Sequence, residues 1–351
     1  MLTQSGIAHY LLSLGVVKPR AIVEDDLVVV DASRRNCVFI ATARTGPAYV
    51  VKQADARIAP RLAHEAAVLR SLAATPELKN LVPEVVHHDR EAACLVLRTP
   101  AGGRDWSEHY DGGRFPLAPA RGLGEALAVL HELPIDASED LPQGFDRMWG
   151  LSLPEPPHEL LLDLSAAASD LVARVQASDF VCGRLQQLRD LTSDDAIVHG
   201  DLRWENCAVV AAPGGRRRTR VLLLDWELAG PGPAAFDVGT ALAEYLVKWV
   251  GSIPMLEPRD PTRFLDHARH PLRLMRPAID AFWRAYRSAR AHPPAPAHVV
   301  ELAAVRLVQA AMERAQRSAA PSAQVVVLAQ LANSMLRDPE DAALELLGLH
   351  A

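Results

Sequence analysis

Cysteine is scarce in this chain of 351 residues: Cys37, Cys94, Cys182 and Cys207 lie far apart, and no two form a Cys-x-x-Cys pair. That argues against a disulfide framework or a zinc site and makes a reducing cytoplasm the simplest setting. Long apolar runs are missing as well. No uncharged stretch approaches the ~20 residues of a membrane span, so no membrane partner is expected. The first residues, Met1-Leu2-Thr3-Gln4-Ser5, lack a basic region followed by an apolar core, and no secretory signal is expected. Positive charge is not in excess either; the formal net charge is -6, which gives no support for nucleic-acid binding. What is present is a 49% hydrophobic share, enough for a substantial core. The length allows one large two-lobed domain or two ordinary ones.

The chemistry gathers around one stretch, His199-Gly200-Asp201-Leu202-Arg203-Trp204-Glu205-Asn206. An apolar strand-like run, Ala196-Ile197-Val198, feeds into it, and a second, Val221-Leu222-Leu223-Leu224, follows and ends on Asp225. Moving a phosphoryl group calls for a carboxylate at the attacking hydroxyl, an amide oxygen on magnesium and a second carboxylate to help hold the metal. Asp-x4-Asn followed by strand-Asp supplies these from two neighbouring loops.

His199-Gly200-Asp201-x4-Asn206, then Leu224-Asp225-Trp226-Glu227, then Gly230-Pro231-Gly232-Pro233-Ala234-Ala235-Phe236-Asp237-Val238-Gly239 together resemble the aminoglycoside phosphotransferase and choline-kinase-like group. The resemblance runs from about Asp26 to the helix after Asp237. It implies an α+β, two-lobed protein-kinase-like fold, with a five-stranded antiparallel sheet plus helix in the N-terminal lobe and a mostly helical C-terminal lobe. The lobes are expected at 1–98 and 105–351, joined by a hinge at 99–104. It further implies ATP and Mg2+ as cofactors. Asp201 is then the base or the group that orients the acceptor hydroxyl, Asn206 and Asp225 are the metal ligands, and Arg203 is a contact to the transferring phosphate. Solvent exposure is the alternative for Arg203. His199 is expected to brace the loop, and Asp237 either to cap the following helix or to hold the loop from below.

Upstream, Ile7 to Val17 reads as a helix that packs on the first sheet. Three strand-like runs follow, Leu27–Val30, Val38–Ile40 and Ala48–Val51, the last leading into Lys52. Strand alternation puts Lys52 on the face of Val50 and opposite Tyr49 and Val51. An ammonium there can reach nucleotide phosphates, or it can be an edge lysine pointing to solvent. The turn Asp31-Ala32-Ser33-Arg34-Arg35-Asn36 has no glycine, where protein kinases place a glycine-rich loop. Ser33, backbone N–H groups or the arginines are left to meet phosphate. Arg61 to Leu72 has helical spacing, with Glu65 beside the apolar stripe; the resemblance makes Glu65 the partner of Lys52. Val82–Val86 and Cys94–Leu97 complete the expected sheet. The stretch from Arg98 to Gly103 leads into and through the expected hinge, so Leu97 and Thr99 are assigned to the nucleotide. The His87-His88 pair is read as exposed, since neighbours on a strand face opposite ways.

Leu123 to Leu133 reads as a helix in which His131 is structural, and Gly122-x-Gly124 is too short for a dinucleotide fingerprint. One or two helices are expected between Leu160 and Leu191, and terminal helices beyond Ser318. The basic run ending at Arg220 is read as a solvated hairpin tip. From Tyr245 to Val300 there are four acids against nine bases. A polycationic acceptor calls for the opposite bias. Some bacterial relatives resembling this group phosphorylate Ser/Thr side chains of precursor peptides in lanthipeptide-type biosynthesis, where a partner lyase then eliminates the phosphate. A hydroxyl-bearing peptide is therefore the first expectation for the acceptor. A small-molecule antibiotic or metabolite is the second, and a nucleotide-binding scaffold without turnover the third.

Overall fold

The computed structural model describes residues 2–24, 26–33, 37–110, 112–134, 147–191, 194–211, 219–254 and 261–350. In chain order the elements begin with α1 (Gln4–Ser13), α2 (Pro19–Val23), β1 (Val28–Asp31), β2 (Cys37–Thr42), β3 (Ala48–Gln53) and α3 (Ala59–Ala73). Next come β4 (Glu84–Asp89), β5 (Cys94–Thr99), β6 (Arg104–Asp105), α4 (Trp106–Tyr110), α5 (Leu117–His131) and α6 (His158–Leu161). They are followed by α7 (Ala166–Gln176), α8 (Asp179–Leu191), β7 (Ala196–Val198), β8 (Cys207–Ala211), β9 (Thr219–Leu223) and β10 (Gly230–Gly232). The chain ends with α9 (Ala234–Gly251), α10 (Leu272–Ala289), α11 (Pro296–Ala315), α12 (Ala323–Arg337) and α13 (Pro339–Asp341). Two compact units emerge. The first contains the described residues up to His109 and, of the later ones, Glu205–Gly230; the second contains the described residues from Tyr110 to Trp204 and from Pro231 onward.

The first unit is organised by a five-stranded antiparallel sheet in the order β1-β2-β3-β5-β4. Period-2 alternation gives this sheet two different faces. Phe39, Ala41, Val51, Cys94 and Val96 form one of them, and α1 lays Ile7 and Leu11 on it, both fully buried. Burying such a side chain stabilises by about 1.5–3 kcal/mol, which gives α1 its packing role. Lys52, one residue on from Val51, is turned to the other face, opposite Val38 and Leu95. β4 begins at Glu84 and not at Val82, because Pro83 cannot donate to a ladder. The strand runs on through His87 and His88, which pair with Val96 and Leu95 and are half-buried; the reading of them as an exposed pair is corrected by that extension past a bulge at Val85/His87. A three-stranded sheet, β6-β8-β9, completes the unit.

The second unit is mostly helical. α5 packs along α10, and α11 lies against both α9 and α12. Gly124 permits the first of these contacts, since a Cβ there would strike the Phe282 carbonyl oxygen. That is the use of the glycine in Gly122-x-Gly124. Between Leu160 and Leu191 lie the two helices α7 and α8, preceded by the short α6 that begins at His158. Ser165 starts α7 by accepting from Ala168 N, an N-cap that separates it from the short α6. No described helix is long and apolar enough to cross a membrane.

Candidate active site

Two clusters of polar side chains stand out, one in each unit. In the first, β3 delivers Lys52 and α3 delivers Glu65. Lys52 Nζ donates to both oxygens of Glu65 at 2.8 Å and to Asp225 Oδ1 at 2.6 Å. Lys52 and Glu65 are buried, while the Asp225 side chain keeps 31% of its exposure. A buried ammonium survives only when it is paired. Burial alone would lower the Lys52 pKa, but the charges of Glu65 and Asp225 overcome it and hold the lysine above its ordinary value. It stays charged.

Asp225 follows β9, and Asn206 precedes β8. The register Cys207↔Leu223 puts both residues at the same end of that hairpin, where Leu224 N donates to the Asn206 carbonyl at 2.7 Å. Two sequence-distant oxygen donors are thus brought together by strand pairing. Asp225 has φ 64, a left-handed conformation that aspartate tolerates better than most residues.

Helix α3 also grips the segment after Asp225. Residues spaced three and four apart share a helix face, and Arg61, His64 and Glu65 do so here. Arg61 pairs with Glu227 at 3.4 Å, His64 Nε2 lies 2.7 Å from the Ala229 carbonyl, and Glu65 Oε1 accepts from Trp226 N at 3.3 Å. The role of His64 was not foreseen. Its position beside Glu65 on an otherwise apolar stripe was the available signal.

The other nucleotide assignments take different places. The Ser33 hydroxyl accepts from Val38 N at 3.0 Å, and Ser33 N donates to Asp31 Oδ1 at 2.9 Å, so this side chain closes its own hairpin. Its hydroxyl and N–H hold the Asp31 carboxyl below the usual value. Arg34, Arg35 and Asn36 lie outside the described residues. Leu97 sits in β5 between Val50 and Val85 with its side chain in the core, and Thr99 is one residue past the last β4 partner. Arg98 forms a cross-strand ion pair with Glu84 at 2.9 Å.

In the second unit the loop after β7 is fixed from below by Asp237, in the first turn of α9. Its carboxylate accepts from His199 N at 2.6 Å and Gly200 N at 2.9 Å. Gly200 has φ 80, a backbone state that glycine enters without strain. Asp237 makes no cap; the N-cap of α9 is Pro233. His131 Nε2 adds a third contact to Asp237 at 3.3 Å, and its Nδ1 lies 3.0 Å from the Tyr286 hydroxyl. Burial would push the Asp237 pKa up, yet the His131 bond and the pull of His199 carry it below its ordinary value. Burial likewise moves the Tyr286 hydroxyl upward.

Asp201 follows this pinned turn. Its N–H donates to His199 Nδ1 at 3.3 Å, which is the bracing role expected of that histidine, and its Oδ2 accepts from Arg203 Nη2 at 2.8 Å. Arg203 Nη1 stands 3.9 Å from Glu313 Oε2. Trp204 N donates to Glu244 Oε2 at 3.3 Å, and Arg306 bridges Glu244 at 3.6 Å and Glu313 at 3.2 Å. Glu244, Arg306 and Glu313 were all missed. A charged residue inside an apolar run such as 302–308 of α11 signals a buried ion pair, and Arg306 carries that signal. Lys52, Glu65, Asn206 and Asp225 therefore belong to the first unit and Asp201 and Arg203 to the second. The chain passes between the two at Trp204–Glu205.

A methylthioribose kinase from Pectobacterium carotovorum is 27% identical over 198 residues, which take in 50% of this chain and 46% of that protein. The chain thus spans about half the length of the curated relatives it matches. Among solved structures, a choline/ethanolamine kinase family protein from Mesorhizobium loti superposes with a TM-score of 0.54 at 19% identity, covering 98% of this chain and 95% of that one. The GDP complex of wild-type aminoglycoside 2'-phosphotransferase-IIIa gives 0.51 at 13% identity, covering 96% and 100%. These likenesses establish the kinase-like α+β fold. The family described as phosphotransferase enzyme family (APH) matches residues 27–298, more than half of the sequence, and the chain is a member of it.

Proposed function

We propose that the protein transfers the γ-phosphoryl group of magnesium-bound ATP to an alcohol. The observation that carries this is the buried Lys52, held at once by Glu65 and by Asp225. A charge so fixed is suited to phosphate oxygens, which need a cation whose position does not have to be found at the moment of reaction. The donor set beside it fits magnesium. The Asn206 amide oxygen and the Asp225 carboxylate are hard oxygen ligands, and the exposure left to Asp225 gives room for water and phosphate in the remaining positions. When bound, the ion offsets charge on the transferring group. Asp201 accepts the hydroxyl proton or orients the hydroxyl, and Arg203 steadies the transferred phosphate.

For the acceptor, a small molecule bearing a hydroxyl is the better supported choice. The surplus of arginines between Tyr245 and Val300 is what favoured a peptide acceptor, and several of these arginines are engaged inside their own unit. Arg284 pairs with Asp280 at 2.7 Å, Arg287 donates to the His350 carbonyl at 3.1 Å, and Arg290 pairs with Glu132 at 3.4 Å. Glu257, Arg259 and Asp260 lie outside the described residues. With that charge argument goes the reason for a partner lyase. The likeness to a sugar kinase, methylthioribose kinase, favours a polyol-like acceptor. Free cysteines at 37, 94, 182 and 207 suit a reducing cytoplasm.

The test is incubation with Mg-ATP and a panel of small hydroxyl acceptors, read by mass spectrometry for an added phosphate. Asp201→Ala is expected to abolish the product while nucleotide binding, measured by calorimetry, persists. Normal transfer by Asp201→Ala would remove the assigned base.

A further inference from the structure

Charges alternate along a line of contacts in the second unit: Glu244, Arg306, Glu313, Arg203, Asp201. Successive separations are 3.6, 3.2, 3.9 and 2.8 Å. The first two members are buried, and burial raises the Glu244 carboxyl above its ordinary value against the pull of Arg306. The last three keep between 21% and 28% of their side-chain exposure, so the line runs from helix interior to surface. Glu313 is the joint. Arg306 approaches both of its oxygens, at 3.2 and 3.5 Å, in a forked arrangement that fixes the carboxylate plane. One of those oxygens faces Arg203.

We propose that Glu313 is a positioning residue for phosphoryl transfer, acting through Arg203 on Asp201. The proposal rests on the reading of Asp201 as the group that meets the acceptor hydroxyl. Arg203 has two terminal amines. One bonds Asp201, and the other faces Glu313. With both carboxylates charged, the guanidinium is shared, and it cannot turn wholly onto Asp201. Removing the charge at Glu313 weakens the pull away from Asp201, which holds Arg203 at 2.8 Å. The closer pair then competes with the incoming hydroxyl for the Asp201 oxygens, and the transferring phosphate loses its share of Arg203. Lys52, Glu65 and Asp225, the residues assigned to the nucleotide and its metal, are not members of this line and belong to the other unit. The effect therefore falls on kcat and spares the KM for ATP.

The measurement is turnover of Mg-ATP with water as the acceptor, followed by phosphate release, in Glu313→Gln, Glu313→Asp, Arg203→Ala and the double variant Arg203→Ala/Glu313→Gln. Glu313→Gln is expected to lower kcat roughly ten- to a hundredfold with the KM for ATP unchanged within about twofold. Glu313→Asp keeps the charge and is expected to recover most of the loss. The double variant is expected to be no slower than Arg203→Ala alone, since two residues acting through one contact are not additive. Wild-type kcat in Glu313→Gln, no recovery in Glu313→Asp, or a double variant slowed by the product of the single effects would each overturn the proposal. If wild type turns over no Mg-ATP with water or with any hydroxyl acceptor of the panel, the functional reading falls and the positioning role falls with it. Wild-type turnover with an unaffected Glu313→Gln defeats the positioning role alone.

Discussion

Replacing Asp237 by Asn removes one charge and leaves the outline of the side chain almost unchanged. In the native protein its two oxygens accept from Gly200 N, His199 N and His131 Nε2. An amide has one accepting oxygen, so whichever way it turns, its NH2 meets a backbone N–H. One buried donor is left unpaired, at a cost of about 1–3 kcal/mol, and the surviving bonds lose a charged acceptor, worth about 1 kcal/mol more. The sum is about 2–4 kcal/mol, to be read from urea unfolding at pH 7. Faster amide exchange at His199 and Gly200 would localise the loss. The pH dependence has a fixed sign. The folded carboxyl lies below its unfolded value, so its contribution is present above about pH 4 and is lost as pH falls through the folded value. The gap between wild type and Asp237→Asn should be flat from about pH 5 to 7 and close in stronger acid. A gap under about 0.5 kcal/mol at pH 7, or one that acid does not narrow, would refute the pinning of this turn by a charged Asp237.

Other substitutions separate packing from chemistry. Lys52→Met strands the buried Glu65 and should destabilise by about 3–5 kcal/mol while abolishing phosphoryl transfer; adding Glu65→Gln should restore thermal stability but not activity. Gly124→Ala should cost about 1–3 kcal/mol in urea unfolding, because its Cβ meets backbone, whereas Gly183→Ala in α8 meets nothing within 4 Å and should stabilise by about 0.5–1 kcal/mol. Ser33→Ala should leave the KM for ATP within about twofold of wild type, since the Ser33 hydroxyl is bonded inside its hairpin; a tenfold rise would restore it as a phosphate contact.

Much of the fold was legible because its signals are local. A period of two in β3 places Lys52 opposite the packed face of the sheet, and a period near 3.6 in α3 places Glu65 beside the apolar stripe. Strand pairing then brings them into contact without further instruction. The pairing that sets Asn206 and Asp225 at the same end of the β8–β9 hairpin was readable for the same reason. The line through Glu244, Arg306 and Glu313 was not, since its members come from α9 and α11 and are joined by no local spacing. A count of charges from Tyr245 to Val300 began one residue after Glu244 and stopped before Glu313, and so returned a bias that the folded unit does not share. Ser33 was assigned by its place in a turn, but a short hydroxyl competes for nearby backbone groups, and here Val38 takes it.

Helix α3 touches the segment from Trp226 to Ala229 through Arg61, His64 and Glu65, all on a single turn. One rigid body thus sets both the direction of the lysine ammonium and the course of the chain leaving Asp225. A slide or roll of that helix lengthens all of these bonds together. Damage anywhere along its length is therefore felt as a cooperative loss of order around Lys52 and Asp225, and not as the failure of one contact at a time.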